Sequence, residues 1–222
     1  MEFLNGGSLE WNLKQKPFKE KKVIFYSAQL LCAILFLHSK QIIHRDIKLE
    51  NILLDSNGNA KLGDFGICTK IIKRPNDCGT LYYKSPESFQ TNYLNYSTDF
   101  WAFGVCVYRM FTGQYPFENK NQIKDDTSIP DLNETRKLYL LVPSIFSSPI
   151  LNNKYSVSEI SCDFVSRLLN KNLNERLGNK ENNEYIKNEP FFSSIDWNKL
   201  ENGQLEPPIN PKLVYEIYFF IF

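Results

Sequence analysis

Two short polar motifs, His44-Arg45-Asp46-Ile47-Lys48-Leu49-Glu50-Asn51 and Asp64-Phe65-Gly66, flank a stretch that reads as a β-hairpin. Asn51-Ile52-Leu53-Leu54-Asp55 is an apolar run of strand length. Ser56-Asn57-Gly58-Asn59 contains an Asn-Gly turn, and Ala60-Lys61-Leu62-Gly63 is a second short run. A hairpin converts separation along the chain into proximity in space. Asn51 at its start and Asp64 just past its end are therefore expected side by side, with Asp46 and Lys48 close to both.

The residue types at these positions suit one kind of chemistry. Asp46 is a carboxylate that can take the proton of an attacking hydroxyl, while Asn51 and Asp64 offer the hard oxygen ligands that magnesium prefers. An ordered acid, amide and acid with a nearby lysine belong to phosphoryl transfer. Asp and Asn also favour turns, but a turn preference does not explain the ordered set.

The rest of the chain is ordinary for a globular domain. Of 222 residues, 42% are hydrophobic and 23% charged, an ordinary globular composition that argues against a disordered chain. The net charge of +1 gives no electrostatic reason to expect a nucleic-acid partner. Five scattered cysteines (Cys32, Cys68, Cys78, Cys106, Cys162) without paired spacing read as reduced thiols inside a cell. The start lacks a signal peptide pattern, and the apolar run Val214–Phe222 is too short to span a bilayer, so no transmembrane segment is expected.

Helical periodicity dominates the remainder. Val23 to His38 carries Ile24, Ala28, Leu31 and Leu35 on one stripe, with Ser27, Leu30 and Leu37 near it, as in a buried helix. Ser97 is placed to cap a helix through Trp101, Val105, Tyr108 and Met110 that ends at Thr112-Gly113. Another helix is expected from about Ser158, with Ile160, Phe164, Leu168 and Leu169 facing inward. The polar and then apolar stretch Asn119–Pro143 reads as a loop insertion. The fold class is mainly α (α+β): helical, with one small hairpin carrying the catalytic and metal-binding loops. His38 reads as an ordinary residue near a helix end, and Trp101, Phe103 and Phe111 as core aromatics.

With these residues in view, the chain resembles the C-terminal lobe of a eukaryotic protein kinase, of the AGC group and similar to protein kinase C. The resemblance implies an ATP-dependent serine/threonine protein kinase that uses Mg2+ and acts on protein substrates in intracellular signalling, in the cytoplasm. Residues 1–192 are expected to be a partial catalytic domain (hinge and lobe, with the insertion at 119–143). Residues 193–222 are expected to be the start of an AGC-type tail, on the strength of Pro190-Phe191-Phe192, Ile195-Asp196-Trp197 and Pro207-Pro208. Met1–Gly7 resembles the hinge, which implies adenine binding by backbone at Glu2 and Leu4, with Leu53 as the floor and Glu50 and Asp64 on the nucleotide side. Lys48 marks the serine/threonine class, and Thr80 resembles the threonine whose hydroxyl bonds Asp46 and Lys48. His44 and Arg45 support the loop. Glu87 is expected to pair with Arg176 in a buried ion pair, and Asp99 to accept backbone N–H bonds from the catalytic loop.

The departures carry their own expectations. The glycine-rich loop, strand lysine and helix glutamate of the family's smaller lobe have no counterpart here. One lost donor in such a site costs roughly 3 kcal/mol. On that comparison the isolated chain should bind ATP weakly and turn over little, and the competing reading is an inactive lobe or pseudokinase that docks other proteins. Asn76-Asp77 stands where protein kinases C place their activation-loop phosphothreonine. Arg109 stands where several basic-directed relatives carry a substrate-binding glutamate, so a preference for basic substrates does not follow, although Glu50 remains available to an arginine. Regulatory domains or partners outside this chain are further expectations.

Overall fold

The computed structural model describes residues 4–14, 16–70, 79–89, 95–116, 157–180 and 182–211. Five α-helices and two small antiparallel sheets make up the regular structure among them, a mixed α+β arrangement in which helices dominate. The helices are α1 (Leu9–Leu13), α2 (Glu20–Ser39), α3 (Ser97–Thr112), α4 (Glu159–Leu168) and α5 (Trp197–Glu201). Strands β1 (Ile42–Ile43) and β4 (Thr69–Lys70) form one sheet. Strands β2 (Ile52–Leu54) and β3 (Ala60–Leu62) form the other.

Helices α2 and α3 are the core, packed on each other and on β3 and α4. Helix α2 buries Val23, Phe25, Tyr26, Ala28, Leu30, Leu31, Ile34, Leu35 and Leu37, so it is apolar on more than one side; Ile24 is only half-buried. By length and composition α2 could cross a bilayer, but 56% of its apolar window is buried here, as befits a core helix. All sixteen residues of α3 are buried. Gly104 lets α3 and α4 approach closely, because a Cβ there would lie 2.9 Å from the Leu168 Cβ.

Caps differ in part from expectation. Gly113 ends α3 in the left-handed region (φ 71°), but Ser97 does not cap its start. Tyr96 already has helical backbone, and the Asn95 carboxamide oxygen accepts from Ser97 N at 2.9 Å instead. Ser158 does cap α4, accepting from Ser161 N at 3.2 Å. The buried stripe of α4 runs through Ser161, Phe164, Val165 and Leu168, which turns Ile160 outward at 52% exposure. Glu20, in the first turn of α2, accepts from both Ser158 and Ser161 and ties the starts of α2 and α4 together.

The hairpin forms where the sequence places it, in the register Ile52↔Leu62, Leu53↔Lys61, Leu54↔Ala60. Its turn is longer than a two-residue Asn-Gly loop. Asp55 accepts from Asn57 N and Asn59 N, both at 2.9 Å, and Asp55 N bonds the Asn59 carbonyl. The Gly58 carbonyl accepts from the Tyr26 hydroxyl at 3.1 Å, which fastens the turn to α2. The expected insertion 119–143 and the run Val214–Phe222 lie outside the described residues.

Candidate active site

Asp46 is the centre of a compact polar cluster. Its Oδ1 accepts from Thr80 N at 3.0 Å and from Thr80 Oγ1 at 2.8 Å. Its Oδ2 accepts from Lys48 Nζ at 2.7 Å and from Asn51 Nδ2 at 3.1 Å. Lys48 Nζ also donates to Thr80 Oγ1 at 2.9 Å, closing a triangle of acid, base and hydroxyl. Burial pushes the Asp46 pKa up, but hydrogen bonds from Lys48 and Thr80 and the lysine's charge outweigh it and hold the carboxyl below the ordinary carboxylate range. Asp46 is therefore ionised at neutral pH, an acceptor that can align a hydroxyl.

Three anchors fix the loop around that carboxylate. Asp99, at the start of α3 and 1% exposed, accepts from His44 N (2.8 Å) and His38 Nε2 (2.9 Å) on one oxygen and from Arg45 N (2.9 Å) on the other. His44 is fully buried, its Nε2 on the Gly63 carbonyl at 3.1 Å and its Nδ1 accepting from Asp46 N at 3.3 Å, which assigns the proton to Nε2. Gly63 N in turn donates to the Asn51 carbonyl at 2.8 Å. The loop His44–Asn51, the hairpin and the Asp64 segment are thus one hydrogen-bonded unit. Arg45 (φ 70°) and Asp64 (φ 58°) both hold left-handed backbone, a conformation that costs about 1–2 kcal/mol in a non-glycine residue.

The oxygen donors of Asn51 and Asp64 fit magnesium. Asn51 Nδ2 is spent on the Asp46 carbonyl (2.9 Å) and carboxylate, so Oδ1 remains the amide's acceptor. Asp64 is exposed, and its Oδ1 accepts weakly from Gly66 N at 3.3 Å. Two oxygen donors carried on neighbouring backbone suit an ion that takes most of its remaining ligands from phosphate and water. Leu53 is half-buried, and the chain before α1 runs along β2: Gly6 N bonds the Leu54 carbonyl at 2.9 Å, and Leu54 N the Gly7 carbonyl at 2.8 Å. Leu4, in that segment, is half-buried; Glu2 lies outside the described residues.

Farther out, Arg176 and Glu87 form a buried bidentate pair at 2.6 and 2.9 Å, with the guanidinium 4.8 Å over the Trp101 ring. Glu50 faces Tyr83 and Arg109: its Oε2 is 3.4 Å from the Tyr83 hydroxyl and its Oε1 3.9 Å from Arg109 Nη1. Asn76, Asp77 and Cys78 lie outside the described residues, and Cys32, Cys68 and Cys106 are free thiols.

Sequence reasoning missed two participants. His38 is a buried partner of Asp99 and not an ordinary helix-end residue. Its signal was its place three residues after Leu35, on the buried side of α2. Tyr83 joins the site through Leu49 N (3.4 Å) and Arg109 Nη1 (2.8 Å), and no sequence pattern pointed to it.

Comparison with known proteins gives the family. A protein kinase domain matches residues 1–192. Protein kinase C-like 1B of Caenorhabditis elegans is 37% identical over 221 residues, 96% of this chain and 29% of that protein. Human protein kinase C delta type is 36% identical over 221 residues, with the same coverage of 96% and 29%. Protein kinase C of Drosophila melanogaster is 35% identical over 218 residues, 96% of this chain and 27% of that protein. The chain therefore spans less than a third of the length of these relatives. A domain match over most of the sequence, joined to these similarities, means that the chain belongs to the protein kinase domain family and is protein kinase C-like.

Proposed function

We propose that the chain is the larger, C-terminal lobe of a serine/threonine protein kinase that transfers the γ-phosphate of ATP to hydroxyls of intracellular proteins. On this reading residues 1–192 are hinge and lobe, and residues 193–222 begin an AGC-type tail. The observation that carries it is the Asp46 carboxylate, joined to Lys48, Thr80 and Asn51 at 2.7–3.1 Å.

Each residue then has a role that its surroundings support. Asp46, ionised and rigidly held, accepts the hydrogen bond of the substrate hydroxyl, aligns it and takes its proton as the new O–P bond forms and the bond from the γ-phosphorus to the β–γ bridging oxygen breaks, releasing ADP. Lys48 is a fixed cation beside the transferred group, where negative charge spreads over the phosphoryl oxygens. Thr80 keeps Asp46 and Lys48 in register. Asn51 Oδ1 and Asp64 would hold magnesium, which when bound neutralises phosphate charge. Leu53, with backbone at Glu2 and Leu4, would receive the adenine, and Glu50 borders the same side. His44, Arg45 and Asp99 position the loop, and Glu87 with Arg176 supports the segment that follows Thr80. The intact Asp46–Lys48–Thr80–Asn51 set favours catalysis over a purely docking role.

Asp46→Asn tests this. In the full-length protein the substitution is expected to lower phosphate transfer to a serine peptide by about 10²-fold or more, with the fold intact by circular dichroism. Unchanged turnover would remove the assignment.

A further inference from the structure

Arg109 lies near the C-terminal end of α3 beside the catalytic loop, and its guanidinium is buried although nothing in the phosphoryl-transfer cluster uses it. Nη2 donates to Glu10 Oε1 at 3.0 Å. Nη1 donates to the hydroxyls of Tyr83 at 2.8 Å and Tyr115 at 2.9 Å. Glu50 Oε1 lies 3.9 Å from Nη1, and the guanidinium stacks on the Tyr115 ring at 4.1 Å. These partners come from α1, from the residue before Asn51, from the turn after Thr80 and from the segment after α3. They form the wall next to the place where Asp46 meets a hydroxyl.

Left bare, Glu10 and Glu50 would be a receptor for a cationic side chain on the peptide that brings that hydroxyl. Here the protein's own cation occupies them. Glu10 is engaged directly, and Glu50, although exposed, has Oε1 3.9 Å from Arg109 Nη1 and Oε2 3.4 Å from the Tyr83 hydroxyl. A guanidinium is charged at every working pH and matches planar partners on a fixed fork, so it is not easily displaced by a second one. We infer that Arg109 is a specificity-determining residue: it fills the Glu10–Glu50 acidic pair and thereby removes selection for arginine or lysine in the peptide substrate. The inference rests on the kinase reading for what the peptide is, but occupancy of the pair is measurable without any phosphate transfer.

The test uses two fluorescent serine peptides that differ only in carrying arginines or alanines beside the serine. Binding to the full chain is followed by anisotropy without ATP. The wild-type chain is expected to show Kd values for the two within about threefold. Arg109→Met keeps an apolar stem against Tyr115 and deletes the charge. It is expected to bind the arginine peptide about tenfold or more tightly than the alanine peptide, and adding Glu50→Gln should remove most of that gain. A tenfold arginine preference in the wild type that Glu50→Gln abolishes overturns the inference. So does a folded Arg109→Met chain without arginine preference. If Arg109→Met does not fold, Arg109→Lys decides: its single ammonium cannot hold Glu10 and both tyrosines together, so a gain of about threefold is expected, and no gain overturns the inference. Absent phosphate transfer by the full-length protein would count against the kinase reading alone, because the binding contrast is read without it.

Discussion

Replacing Asp99 by asparagine exchanges one oxygen for an amide and should release the loop that carries Asp46 from α3. In the aspartate, Oδ2 serves His44 N at 2.8 Å and His38 Nε2 at 2.9 Å, and Oδ1 serves Arg45 N at 2.9 Å. Asparagine keeps one acceptor. With its oxygen at the Oδ2 position, the NH2 faces the Arg45 N–H, donor against donor; the opposite flip sets it against two donors and is worse. The better flip loses one charge-assisted bond and leaves one N–H unsatisfied, roughly 2–3 kcal/mol. The two surviving bonds lose the anionic acceptor, which removes about half of their worth and adds roughly another 1–2 kcal/mol. The sum, about 3–5 kcal/mol, is a large part of a typical domain stability of about 5–15 kcal/mol. With a urea m-value of about 2–3 kcal/mol/M, the midpoint should fall by about 1–2 M. Arg45, relieved of the bond that maintains its positive φ, should relax first. Amide hydrogen exchange at His44 and Arg45 is therefore expected to accelerate about 10²-fold or more, ahead of exchange in α2. A midpoint shift below about 0.3 M, with unchanged protection of both amides, would refute the claim that Asp99 holds the loop.

Arg176→Met removes the counter-charge of a buried carboxylate and should cost about 3–5 kcal/mol, a fall in Tm of about 10 °C read by near-UV circular dichroism of Trp101 beneath it. Arg176→Lys should lose roughly half as much, since one ammonium cannot match both oxygens. A loss below about 1 kcal/mol in the methionine variant would show that the pair is spectator geometry. Glu20 gives a pH dependence. Burial raises its pKa, but hydrogen bonds from Ser158 and Ser161 outweigh that and leave it lowered. A carboxyl depressed by folding stabilises the fold above its unfolded pKa and loses that contribution as the pH falls through its folded value. The wild type should thus lose stability below about pH 4, and Glu20→Gln should show a flatter profile there in urea titrations at several pH values. Parallel profiles would contradict the linkage.

Legibility from the sequence followed how local the cause was. The hairpin and α2 were readable because a short apolar run, an Asn-Gly turn and a 3.6-residue period act over a few residues, and the structure keeps both. Ile160 and Ser97 were misread because helical phase at a first turn depends on what packs there: Ser161 took the inward position, and Asn95 supplied the acceptor at α3. The approach of Asp46 to Asn51 was legible because five residues separate them, and the hairpin brings Gly63, the neighbour of Asp64, to the Asn51 carbonyl. The partnership of His38 with Asp99, 61 residues apart, was not, since no local pattern encodes which buried histidine meets which buried acid.

Helix α3 explains why these distant pairings matter. Placing charged residues on a helix buried along its whole length is costly unless each is matched. Asp99 near its start is matched to the loop that carries Asp46, and Arg109, ten residues on, to the wall beside that loop. Ten residues of α-helix span about 15 Å. One rigid rod therefore sets both the position of the loop that carries Asp46 and the wall beside it. Its remaining sides are fixed by the Trp101 ring under Arg176 and by the Gly104 contact with Leu168. A shift of α3 cannot relax one pairing without straining the other. Core substitutions that displace this helix should consequently alter peptide binding and loop protection together, whereas Arg109→Met should alter peptide binding and leave exchange at His44 and Arg45 in place.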